Sequence, residues 1–172
     1  MKKYVYKKYD SKYPPLFRRE KMKLKKILPS DARIEHCGSS AVPGLAGKGI
    51  IDILISVKKR DLKKANKSLQ KAGYNFKPKA GDKWRDFFDK IYLYNKSKRL
   101  VHIHLTFHDS HEFKRHLAFV NYLKNYPKDA KEYAKVKREA SKYANGDGDK
   151  YREHKYKFVQ KIEKRALKES KK

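Results

Sequence analysis

The run GIIDILISV, residues 49 to 57, is an almost unbroken apolar stretch of strand length, rich in β-branched side chains. It reads as a core strand, yet one carboxylate, Asp52, sits inside it. Burying an unpaired carboxylate costs several kcal/mol, so Asp52 must either border a cleft or have firm partners. What surrounds Asp52 is therefore the question on which the reading of this chain turns.

A second short apolar segment, ARIEHC (residues 32 to 37), ends at Gly38. The two read as strands of one sheet, joined by the Ser/Pro/Gly-rich loop 39 to 47. Further on, RDFFDKIYLYN (85 to 95) and RLVHIHLTF (99 to 107) alternate in polarity around a turn-like NKSK, which predicts an antiparallel hairpin. Helical spacing appears elsewhere. Leu16, Phe17, Leu24, Ile27 and Leu28 follow Pro14 and Pro15, which suit the first turn of a helix because they lack N–H groups. Leu62, Ala65, Leu69 and Ala72 lead to a stop at Gly73. From Ser110 onward three apolar stripes succeed one another, broken at Pro127 and at NGDGD, and the tail KESKK is expected to fray. These patterns predict one mixed α/β domain over residues 1 to 172 with a mostly helical C-terminal half.

Composition bears on partners. The 38% hydrophobic and 13% aromatic residues suffice for a core, so the body of the chain is expected to fold. The formal charge of +28 makes nucleotides, RNA or other polyanions the natural partners. The 37 lysines against 10 arginines are nonetheless spread along the whole chain, a texture that general compositional bias also produces. There is no secretory leader pattern, and no uncharged apolar run near the ~18 residues of a membrane span. A single cysteine, Cys37, reads as a buried thiol in a reducing compartment. The expected location is cytoplasmic, with no membrane partner.

Several tempting motifs fail. GLAGKG lacks the glycine that should stand at Val42, and Gly49 replaces the Ser or Thr of a phosphate loop. NGDGDK places Lys150 where a calcium loop needs glycine and Tyr156 where it needs glutamate. HDSH holds triad letters, but adjacency in sequence says little about convergence in space.

What survives is the Gly-Ser loop followed by Asp52. Gly38 lets backbone N–H groups approach an anion, and Ser39 and Ser40 add hydroxyl donors for a phosphate. Asp52 on the next strand is a candidate ligand for a divalent cation bridging phosphate oxygens. The alternative is a plain turn followed by a core strand whose Asp caps something. In VHIHL, His102 and His104 lie two apart and so share one strand face, as a metal or phosphate site requires. Arg85, at the start of a strand, is a candidate phosphate fork, against an ordinary surface pair with Asp86.

These segments, in this order, resemble the GrpB family over nearly the whole length. The stretch from His36 through Leu45 to IIDIL carries most of the likeness. The run KRHLAFVNYLKNYPKDAKEYAKVKREA, with its HLAF..YL...P..A..Y...K pattern, is a second and independent match. The family usually has Thr at Ser40 and Pro at Gly49. The resemblance implies a nucleotidyltransferase-like fold similar to the palm of DNA polymerase beta: a single mixed sheet of about four to five strands with flanking helices. Gly38 and Ser39 match that superfamily's phosphate turn, and Asp52 its first metal carboxylate. Leu54 stands where the second would be, a departure the family shares.

The resemblance thus implies metal-dependent transfer of a nucleotidyl group from an NTP to an unknown acceptor. Gly38, Ser39 and Ser40 would cradle the triphosphate, with Lys48 and Arg85 neutralising its charge. Asp52, His102 and His104 would hold Mg²⁺ or Mn²⁺, or a softer divalent metal through the histidines. The alternative is a catalytically inactive nucleotide- or RNA-binding protein on the same fold, and behind it a protein-interaction module.

Overall fold

The computed structural model describes residues 6–170; residues 1–5 and 171–172 lie outside the described part. Helix α1 (Tyr13–Lys25) starts on the two prolines, and its buried Tyr13, Leu16, Glu20 and Leu24 recur at helical spacing. Strand β1 (Arg33–Cys37) leads through a short 3₁₀ turn at Ser39–Ala41 to strand β2 (Ile50–Val57). Helix α2 (Leu62–Lys71) and strand β3 (Asn75–Phe76) precede the hairpin of β4 (Asp86–Tyr94) and β5 (Ser97–Phe107). Helices α3 (His111–Asn125), α4 (Pro127–Ala144) and α5 (Gly148–Glu169) complete the chain.

The five strands form one mixed sheet in the order β1-β2-β5-β4-β3. β2 runs parallel to β5, with Asp52 beside His102 and Leu54 beside His104, while the remaining pairs are antiparallel. Because side chains alternate across a strand, β2 divides cleanly between two layers. Ile51, Ile53, Ile55 and Val57 pack with Val101, Ile103, Leu105 and Phe88 under α1 and α2. On the other face Cys37 and Leu54 pack against α3, α4 and α5. The unbroken apolar run conceals this division: its second face also carries Asp52 and Ser56, which neighbour His102, His104 and Thr106 on β5.

Buried Glu20, Ser56 and Ser110 have polar partners. Glu20 accepts from the Tyr74 hydroxyl and, at 2.9 Å, from Lys23 Nζ. Burial first, and then Glu20, pushes the Tyr74 hydroxyl far above its ordinary value. Ser56 Oγ lies 3.0 Å from His108 Nδ1, which answers the HDSH puzzle: His108 braces a fully buried serine, and Ser110 caps α3 by accepting from the Phe113 N–H. Asp147 of NGDGD likewise accepts from the Asp149 and Lys150 N–H groups to open α5. Cys37 is buried, and burial raises its thiol well above the ordinary range. α5 runs on to Glu169, beyond the expected start of fraying, and Lys171 and Lys172 are outside the described residues. Among the described residues no helix is long and apolar enough to cross a membrane.

Candidate functional site

The loop from β1 to β2 folds back over the carboxylate of Asp52. Gly38 has φ +65°, and a Cβ built there would lie 2.3 Å from Asp52 Oδ2. Only glycine combines that backbone conformation with that approach. The same device recurs at Gly47, where a Cβ would lie 2.3 Å from Ser39 Oγ. Two glycines thus bring a half-buried hydroxyl, loop backbone and one carboxylate together, and the geometry explains both.

Ser40 turns inward. It is 2% exposed, its Oγ lies 3.0 Å from His36 Nε2, and it receives the Asp52 N–H at 3.5 Å. His36 stacks on Phe17 with ring centroids 4.6 Å apart, and burial lowers its pKa to about 4, so the imidazole is neutral. Ser40 therefore ties the loop to β1 and β2, and Ser39 is the serine left nearer the surface.

His102 and His104 share one face of β5, and the pairing of β5 with β2 brings both beside Asp52. Asp52 Oδ1 is 3.3 Å from His102 Nδ1 and 3.7 Å from His104 Nε2. Burial alone would raise the Asp52 pKa, but hydrogen bonding from His102 and His104 outweighs it and holds the carboxyl well below the usual range. Arg85 joins from the start of β4, with Nη1 2.7 Å from His104 Nδ1 and Nε 3.6 Å from Asp82. A guanidinium only donates, so His104 Nδ1 accepts. Burial takes the His104 pKa down to about 4, so the ring is neutral and its one proton sits on Nε2, facing Asp52. Phe87 packs edge-on against both imidazoles, and His116 of α3 tilts against His104 at 5.2 Å. The Arg85 Nε–H is buried without a hydrogen-bond acceptor among the described residues. The Asp82 carboxylate, beyond hydrogen-bond reach at 3.6 Å, pairs with it by charge alone.

This tautomer bears on the expected metal ligands. His104 has no free lone pair while Arg85 donates to Nδ1 and Nε2 carries the proton. Among the described residues no group of three His, Cys, Asp or Glu side chains is arranged to hold a metal ion. Leu54, at the place of a second carboxylate, is fully buried. A cation at Asp52 would therefore not be held by a closed protein cage and would need ligands from outside the protein.

Gly38, Ser40, Asp52, His102, His104 and Arg85 meet at one place, with Ser39 beside it against Gly47. Lys48 reaches toward α5, its Nζ 5.3 Å from the centre of the Tyr151 ring. Sequence reasoning assigned no role to His36, which partners Ser40, or to Tyr133 and Lys137 of α4. Lys137 is 3% exposed and donates to the Ala46 carbonyl from within the site's own loop. The signal for these two was present in the Y...K spacing of the KEYAKVK run.

Comparison with known proteins bears on the family and the fold. The family model described as GrpB protein matches residues 5–165. UPF0157 protein BH1888 of Halalkalibacterium halodurans is 32% identical over 160 residues, covering 92% of this chain and 80% of that protein. UPF0157 protein YqkA of Bacillus subtilis is 34% identical over 76% of this chain, which spans only 38% of YqkA's length. The crystal structure of the conserved protein GrpB from Enterococcus faecalis superposes with a TM-score of 0.81 at 32% identity, covering 98% of this chain and 100% of that one. Cid1 poly(U) polymerase, in an H336N mutant bound to MgATP, matches at a TM-score of 0.51 and 17% identity over 76% of this chain and 45% of its own, a likeness of fold alone. The chain belongs to the GrpB protein family, on a nucleotidyltransferase-like fold.

Proposed function

We propose that this protein binds a nucleoside triphosphate at the Asp52 site and transfers its nucleotidyl group to an acceptor. The observation that carries this reading is the approach of Gly38 to Asp52: a Cβ at Gly38 would collide with the carboxylate at 2.3 Å. That proximity lets loop donors and a metal carboxylate serve the same phosphate chain. The ionised state of Asp52 and the Arg85 guanidinium bonded to His104 support it, one offering charge to a cation and the other to an anion.

In this reading the loop backbone at Gly38 and the Ser39 hydroxyl orient the phosphates, and Arg85 draws charge away from the transferring group. His104, locked between Arg85 and Asp52, keeps the carboxylate pointed into the site. A cation bound by Asp52 would supply neutralisation of the phosphate oxygens. A second reading, nucleotide or RNA binding without transfer, is favoured by one observation: fully buried Leu54 at the place of the second carboxylate.

Pyrophosphate release distinguishes the two. With each of the four NTPs, Mg²⁺ or Mn²⁺ and a pool of RNA and small-molecule acceptors, the transferase reading expects release in the wild type and at least a 100-fold loss in Asp52→Asn, the order a catalytic metal carboxylate supports. Saturable nucleotide binding with no release under any condition would leave the binder reading standing.

A further inference from the structure

Lys137 is a lysine the fold buries against the site's own loop. It is 3% exposed on α4, and its ammonium, a three-proton donor, bonds the Ala46 carbonyl and lies 4.6 Å from the centre of the Tyr133 ring. Its surroundings are mostly cationic. Lys48, in the loop before β2, and Lys155, on α5, both lie 5.3 Å from the ring of the buried Tyr151. Both act on Lys137 as repelling charges, and Asp52 is the acid that attracts it. The location is also specific. A Cβ at Gly47 would lie 2.3 Å from Ser39 Oγ and 3.7 Å from Lys137 Nζ, so hydroxyl and ammonium flank the same point of the loop.

Lys48 and Lys155 lie near enough to buried Lys137 for their charges to act on it, and so does Asp52, so the three lysines form a cationic socket within electrostatic reach of that carboxylate. We propose that Lys137, with Lys48 and Lys155, receives the terminal phosphates of a polyphosphate chain whose first phosphate lies at Asp52. This rests on the nucleotide reading above and gives that site its polarity: reacting phosphate toward Asp52, leaving phosphates toward α4. Lys137 is then a specificity-determining residue, separating triphosphates from monophosphates.

The socket also predicts a proton balance. Burial first, then Lys155 and Lys48, lowers the Lys137 pKa to about 7, with Asp52 and the Tyr133 hydroxyl as the other titratable groups facing this part of the loop. At pH 8 Lys137 is mostly neutral, whereas a bound polyanion favours its charged form. A phosphate whose second pKa is about 6 arrives fully ionised at pH 8, so the proton comes from solvent.

The test is calorimetric titration of the full chain with AMP, ADP and ATP at pH 8 and fixed salt, in two buffers of different ionisation enthalpy. Wild type is expected to bind ATP at least 10-fold more tightly than AMP and to take up close to one proton with ATP. Lys137→Met is expected to lose most of that preference and the uptake while keeping its AMP affinity within about threefold, the scale of a contact outside the socket. Equal affinity for AMP and ATP, or no proton uptake by the wild type, overturns the proposal even if Lys137→Met fails to fold. If ATP binding depends on Asp52 but not on Lys137, the socket fails and the nucleotide reading stands. If no nucleotide binds, both fall.

Discussion

Arg85, His104 and Asp52 form one chain of polar contacts in which each partner fixes the next. Arg85 makes His104 Nδ1 an acceptor, His104 presents Nε2–H to Asp52, and Asp52 stays ionised. Leu54 shows how far this arrangement departs from a two-carboxylate site. It is fully buried among Cys37 and the residues of α3 to α5, with Glu35 opposite it on β1. Leu54→Asp is therefore expected not to restore a second metal ligand but to destabilise the fold by about 3 kcal/mol or more, the cost of an unpaired buried charge plus lost packing. Urea unfolding measures it, and a variant of wild-type stability with tighter Mg²⁺ binding would contradict it. At this scale the sequence was legible where spacing is short. His102 and His104 share a face because they are two apart, and Asp52 needed partners because its neighbours are apolar. Lys137 stands in the Y...K spacing of the helical run, but nothing local says that a lysine among 37 lysines folds under a loop 91 positions away.

Elements were legible where the chain carries its own punctuation. Pro14, Pro127 and the NGDGD break mark helix starts and ends in the structure as in the sequence. The pairing of β2 with β5 was not, since it joins strands with α2 and a hairpin arm between them, and only the shared burial of both faces selects it. Two-residue β3 carries too little pattern to find. The β4–β5 turn is tighter than NKSK suggests: Asn95 and Lys96 take φ +47° and +60°, the left-handed pair that suits a hairpin's twist. Asparagine tolerates this and exposed lysine does so at a cost of about 1 kcal/mol. Lys96→Gly is expected to raise stability by up to that amount, read as a rise of a few degrees in Tm; an unchanged or lower Tm would contradict the turn assignment.

The two layers of helices close on a sheet whose polar face holds the site, and the pH response of the whole molecule follows from what that closure buries. His36 and His104 titrate near pH 4 in the folded protein against 6.5 for the free group. Between those values the unfolded chain binds protons that the folded one refuses. Stability is therefore expected to fall as pH drops from 6.5 towards 4, by up to about 1.4 kcal/mol per pH unit for each histidine. Unfolding free energies measured across that range check it, and His104→Gln should flatten the slope; a flat profile in the wild type would contradict the burial of both rings. The charge of +28 is the whole-molecule property that remains least specific, because it favours any polyanion. Binding through charge alone weakens steeply with salt and ignores Asp52, whereas binding at the site needs that carboxylate.

The most direct measurement is calorimetric titration of ATP, GTP, CTP and UTP at constant ionic strength, with and without Mg²⁺ or Mn²⁺, on the wild type and on Asp52→Asn of verified fold. The account predicts saturable, metal-dependent binding of at least one triphosphate in the wild type and its loss in the variant. Equal binding by both proteins, or none by either, would make Asp52 a structural residue held by His102 and His104 and would contradict the proposed function.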